Sequence, residues 1–178
     1  MSETRAPAID GHTSRPVLRH LAATLAYRAA KVIRDAPATF ADATSGSARR
    51  PVRIVAHMAD LMAWGVSLTR GEHVWKAEGS DDWHVEVRRF FDGLSALDAA
   101  INAADLPAGA AEKLIQGPLA DALTHVGQLA LLRGMAGVPL RPESYASAAI
   151  TAGRVGLDQT PAVREFDGDA SEPSDRST

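Results

Sequence analysis

The chain has no cysteine, and that single absence removes disulfides, thiolate catalysis, zinc-thiolate sites and iron-sulfur ligation. Any metal must then be held by His, Asp or Glu. Positive charge is not in excess either: 19 Lys and Arg face 22 Asp and Glu, for a formal charge of -3. Without a basic field, nucleic acid and anionic membrane surfaces are poor partners. No uninterrupted apolar run reaches membrane-spanning length. The opening MSETRAPAIDGHTSRP lacks the charged segment and apolar core of a secretory signal, so a cytoplasmic location is expected. Also missing are the Gly-x-Ser-x-Gly elbow, the Gly-x-Gly-x-x-Gly fingerprint, the phosphate loop and His-Glu-x-x-His. Hydrolase, dehydrogenase and kinase readings that depend on those motifs are therefore unsupported.

What the chain does have is hydrophobic periodicity of helical type. Its 178 residues, 46% hydrophobic, suffice for one sizeable core. The pattern predicts an all-α four-helix bundle over residues 13–158, flanked by a disordered segment 1–12 and a disordered acidic tail 159–178. The first helix should start at Thr13 or Ser14, with Pro16 in its first turn, and stop before Pro37. Its face carries Leu18, Leu21, Leu25, Ala29 and Val32 at steps of three and four. The second starts at Pro51, presents Ile54, Met58, Leu61, Gly65 and Leu68, and stops at Gly71. The third is the most regular, with Trp83, Val87, Phe90, Leu94, Leu97 and Ile101. Gly117 and Pro118 introduce the fourth, whose core face reads Ala122, His125, Leu129 and Leu132. Beyond it, breakers leave room only for a short helix within 142–150. Apolar residues nowhere alternate with period two, which argues against strands.

Six histidines are the main candidates for chemistry. His57 shares its helical face with Ile54, Leu61, Trp64 and Leu68, so its ring should point to the bundle interior or its rim. Asp121 and His125 are one turn apart and stack on one face. An uncoordinated imidazole or carboxylate facing an apolar core carries a desolvation cost of roughly 1–3 kcal/mol. A divalent cation would offset that cost and keep the carboxylate ionised. The plainer reading is a hydrogen-bonded core histidine and an ordinary Asp-His contact near the surface. Asp60 is either an outer partner or substitute ligand of the site, or an exposed ion-pairing residue. Gln128 either orients His125 or is simply solvated, and Trp64 either walls a pocket or belongs to the core. Arg49, Arg50 and Arg53 either attract an anionic substrate or form a solvated basic surface. His20, His73 and His84 fall on the surface, and His12 in the flexible start.

The strings VRIVAHMADLMAWG around His57 and GPLADALTHVGQLALLR around His125 closely resemble the two motif helices of the DinB/YfiT-like family. EVRRFFDGLSALDAAI and YASAAITAGRVGLDQ extend the resemblance from the first helix to Asp158. The resemblance implies a four-helix bundle with a divalent metal held by one histidine of the second helix and a His-x-x-x-His pair of the fourth. His57 matches the first position and His125 the last, whereas Asp121 stands where the family has its middle histidine. Two imidazoles and one carboxylate leave open coordination positions and suit zinc, nickel, manganese or ferrous iron. The added charge should raise the pKa of a bound water relative to three neutral histidines. The resemblance further implies transfer reactions that use low-molecular-weight thiols, with hydrolase and isomerase relatives, and pairing into a homodimer. Lacking cysteine, this chain would take the thiol as a cosubstrate. The other reading is a non-catalytic metal-binding, small-ligand-binding or stress-associated bundle with a vestigial site.

Overall fold

Four apolar stripes of helical period meet around one core. The computed structural model describes residues 11–166 apart from 45, 47, 48 and 104, and for 11–13 the backbone alone. Its helices are α1 (Gly11–Ile33), α2 (Pro51–Thr69), α3 (Trp83–Ala103), the short α4 (Ala110–Leu114) and α5 (Ala120–Met135). Among the described residues there is no strand, only an isolated bridge between Glu143 and Glu165. Neighbours in the bundle run α1, α3, α2, α5 and back to α1, with α2 against α3 the most extensive interface. No helix is long and apolar enough to cross a membrane.

The stripes read from sequence are the ones that pack. Leu18, Leu25 and Ala29 of α1, Met58 of α2, Phe90, Leu94, Leu97 and Ile101 of α3, and Ala122 and Leu129 of α5 are fully buried. Each large side chain among them contributes about 1.5–3 kcal/mol by leaving water. Pro51 occupies the first turn of α2, where its missing N–H costs nothing. Gly71, at φ 76, follows the last turn in the left-handed conformation that stops a helix cleanly. Arg133, 6% exposed, donates to the carbonyls of Val32 and Arg34. It thereby satisfies the orphan acceptors at the end of α1 and ties that end to α5.

Three boundaries differ from expectation. The first helix begins at Gly11, so Pro16 lies in its second turn rather than its first. Gly117 and Pro118 do mark a helix boundary, but it is a kink rather than a loop. The π-helical turn Ile115–Leu119 between α4 and α5 spans two helices that meet at Gly117, whose φ -93 and ψ -105 are not helical. Pro118 follows that break, where its missing N–H costs no helical bond. In place of a helix within 142–150 there is only a single 3-10 turn, Tyr145–Ser147. Glu143 instead accepts from Tyr27 and Lys31 at 2.6 Å each, and Lys31 reaches Glu165 at 2.8 Å. Those bonds hold the segment extended against α1. The expected disorder of 1–12 and 159–178 falls mostly outside the described residues. Within them, Gly11 and His12 have helical backbone, and Gln159 is 6% exposed, donating to the carbonyls of Arg154 and Gly156.

Candidate metal site

Residues 57, 121 and 125 come together at the rim between α2 and α5. His57 is two turns into α2, and Asp121 and His125 occupy the first two turns of α5, immediately after the π-helical turn. The Nε2 of His57 lies 3.5 Å from Asp121 Oδ2, and the Nε2 of His125 lies 3.3 Å from Asp121 Oδ1. Their ring centroids are 4.9 Å apart and perpendicular. One ligand atom from each of the three falls within 4.8 Å of the others. The group could hold a metal ion. At the roughly 2.0–2.2 Å bond lengths of nitrogen and carboxylate ligands, neighbouring donors around a tetrahedral ion are about 3.3–3.5 Å apart.

The protonation pattern supports the same fit. His125 Nδ1 lies 2.8 Å from Gln128 Oε1. That bond orients the ring and leaves its Nε2 facing Asp121. Burial, helped by the neighbouring His125 and Arg49 charges, holds the His57 pKa below the ordinary 6.5 against the opposing pull of Asp121. The side chains of His57 and His125 are 24% and 10% exposed, while that of Asp121 is 45% exposed. The carboxylate therefore sits on the open side.

A cavity of about 590 Å3 opens over the triad, with Arg49 and Gln128 as its remaining polar walls and Ile54, Leu131, Leu132 and Met135 as its apolar ones. Its size is that of a small-molecule site. On another side, Trp75 stands edge-on to His57 at 5.5 Å and to Trp64 at 6.0 Å. Trp64 in turn fills the space left by the absent side chain of Gly117, where a Cβ would lie 2.9 Å from Cη2.

The neighbours considered from sequence divide. Gln128 does orient His125. Trp64 belongs to the wall behind His57 through Trp75. Asp60 is ion-paired but not exposed: it is 5% exposed and accepts from Arg89 at 2.7 Å and from the Glu78 amide at 3.2 Å. Those bonds occupy it away from the triad. His20, His73 and His84 are exposed, although His73 leans on Trp64 at 6.2 Å. The side chain of His12 lies outside the described residues. Trp75 went unnoticed because it sits in the non-periodic segment 72–80; the only signal was a large aromatic amid polar residues. No family model, curated protein or solved structure matches the chain.

Proposed function

We propose that the protein is a metal-dependent enzyme of the DinB/YfiT-like kind. In this reading His57, Asp121 and His125 hold a divalent cation, and the cavity above them receives a low-molecular-weight thiol and its electrophilic partner. One observation carries it: His57, Asp121 and His125 each bring a ligand atom within 4.8 Å of the others on the lining of one cavity, with His125 oriented by Gln128, a donor set and spacing that suit a divalent cation. A divalent ion there would supply a Lewis acid that lowers the pKa of a bound thiol or water, giving thiol transfer or a related hydrolysis. Gln128 orients the His125 ring, Trp75 limits rotation of the His57 ring, and the half-exposed Asp121 leaves the cavity side open to reactants. Zinc, nickel, manganese and ferrous iron all suit this donor set. Pairing into a homodimer through helix faces belongs to the same reading.

A second reading, a non-catalytic metal or small-ligand binder, draws on the cavity walls. Beyond the triad, the described lining residues include no further carboxylate, histidine, tyrosine or lysine to act as acid or base. One experiment separates the two. The purified protein is reconstituted with each metal, its metal content measured, and thiol consumption followed with an electrophile. Stoichiometric metal with thiol turnover that His125→Ala abolishes supports the enzyme. Stoichiometric metal without turnover selects the binder, and no uptake after reconstitution overturns the metal site altogether.

A further inference from the structure

The basic cluster at the head of α2 is three different situations rather than one surface. Arg50 is held by Asp42 and Asp81 at 2.7 Å each. Arg53 donates to the Gly79 carbonyl at 3.1 Å and lies 3.7 Å from Asp81. Arg49 has no hydrogen bond or ion pair among the described residues, and it lines both the cavity over the triad and an adjoining recess of about 390 Å3. A guanidinium without an anion, on the wall of a concave site, is a ready receptor for a planar oxyanion.

The opposite chemistry shares the same cavity. Leu131 and Met135, one turn apart on α5, line it while remaining 65% and 61% exposed, and Leu132 continues the apolar wall. Large apolar side chains beside open space favour a ligand that covers them. We infer that the electrophilic substrate is a small organic carboxylate, its acid group on Arg49 and its apolar body along Leu131, Leu132 and Met135. A carboxylate fits better than a phosphate monoester, because one guanidinium balances one negative charge and no further lysine or arginine is among the described residues that line this cavity. The part of this inference that puts the reacting end at the triad rests on the metal-centre reading; recognition of the acid group does not.

The test therefore uses full-length, metal-free protein with octanoate as probe and octanamide and octyl phosphate as comparison ligands, read by calorimetry. Octanoate should bind at least about tenfold more tightly than octanamide, a single charge-assisted contact's worth. Arg49→Gln should erase that difference, Arg49→Lys should restore part of it, and Leu131→Glu should weaken octanoate and octanamide alike. Arg49 is exposed, so its variants should keep the helical circular dichroism of the parent. Equal octanoate binding by the parent and Arg49→Gln overturns the inference, as does tighter binding of octyl phosphate than of octanoate. Zinc uptake, measured separately, reports on the metal centre, so the two readings fail by different results.

Discussion

Replacing Asp121 by asparagine removes one negative charge from the triad and leaves an oxygen in nearly the same place. In the metal-free protein little should change. The Asp121 side chain is 45% exposed and its contacts to the imidazoles, at 3.3 and 3.5 Å, are longer than charge-assisted hydrogen bonds. Stability should therefore stay within about 1 kcal/mol of the parent. Metal affinity should fall far more. A single negative charge about 2.1 Å from a divalent ion contributes about 4 kcal/mol even with the full dielectric screening of water, or roughly a thousandfold in dissociation constant. The exposure of Asp121 justifies the aqueous value. Competition against a chromophoric zinc chelator reads the change directly, with urea unfolding of the metal-free variant as the control for folding. Asp121→His keeps a donor on the same face of α5 and should recover most of the affinity. Zinc binding by Asp121→Asn within about threefold of the parent would refute the claim that this carboxylate is a ligand.

Three further expectations use other parts of the molecule. In metal-free protein the His57 imidazole should titrate below 6.5, followed by its ring proton shifts. The folded state then binds fewer protons than the unfolded one in the window between its lowered pKa and 6.5. The resulting stability is complete above 6.5 and is lost as pH falls through the lowered value; a midpoint at or above 6.5 counts against the burial argument. Gly117→Ala should cost about 1–3 kcal/mol in urea unfolding, because its Cβ would lie 2.9 and 3.0 Å from two carbons of the Trp64 ring; an unchanged midpoint would show that the ring yields freely. Lys31→Met strips the cation from Glu143, whose side chain is fully buried. It should destabilise the fold by about 3–5 kcal/mol, and a loss below 1 kcal/mol would mean that water reaches the site.

The helices were legible because burial is periodic. Leu94, Leu97 and Ile101 recur at intervals that only a helix turns to one side, and all three are fully buried. His57 and His125 were legible for the same reason, since each sits among apolar residues at helical spacing. The helix boundary at Gly117 and Pro118 was legible too, but not that it would be a kink, because nothing local says that Trp64, from another helix, will occupy the space beside Gly117. The burial of Asp60 in an ion pair was not legible, because its partner Arg89 lies 29 residues away on α3. Tertiary pairing of that kind leaves no trace in spacing. Arg49 could not be told from Arg50 and Arg53, since only the fold decides which of the three meets Asp42 and Asp81.

The other polar clusters of the molecule serve as internal controls for the triad. Asp98 takes two bonds from Arg19 at 2.9 and 3.0 Å. Asp60 and Glu86 share Arg89 at 2.7 and 2.8 Å, and Glu143 and Glu165 share Lys31 at 2.6 and 2.8 Å. In each, a permanent cation stands within hydrogen-bonding distance of the carboxylate, as the cost of burying a charge demands. Asp121 has no lysine or arginine so placed among the described residues, and its two neighbours are imidazoles set back to 3.3 and 3.5 Å. If the triad were only a structural contact, it should resemble the others: closer, and with one imidazole protonated. Burial and the neighbouring His125 and Arg49 charges instead oppose protonation of His57. A carboxylate with no lysine or arginine at hydrogen-bonding distance, set between two imidazoles at the spacing of a coordination shell, is what favours reading the triad as a group that could hold a metal over a structural ion pair.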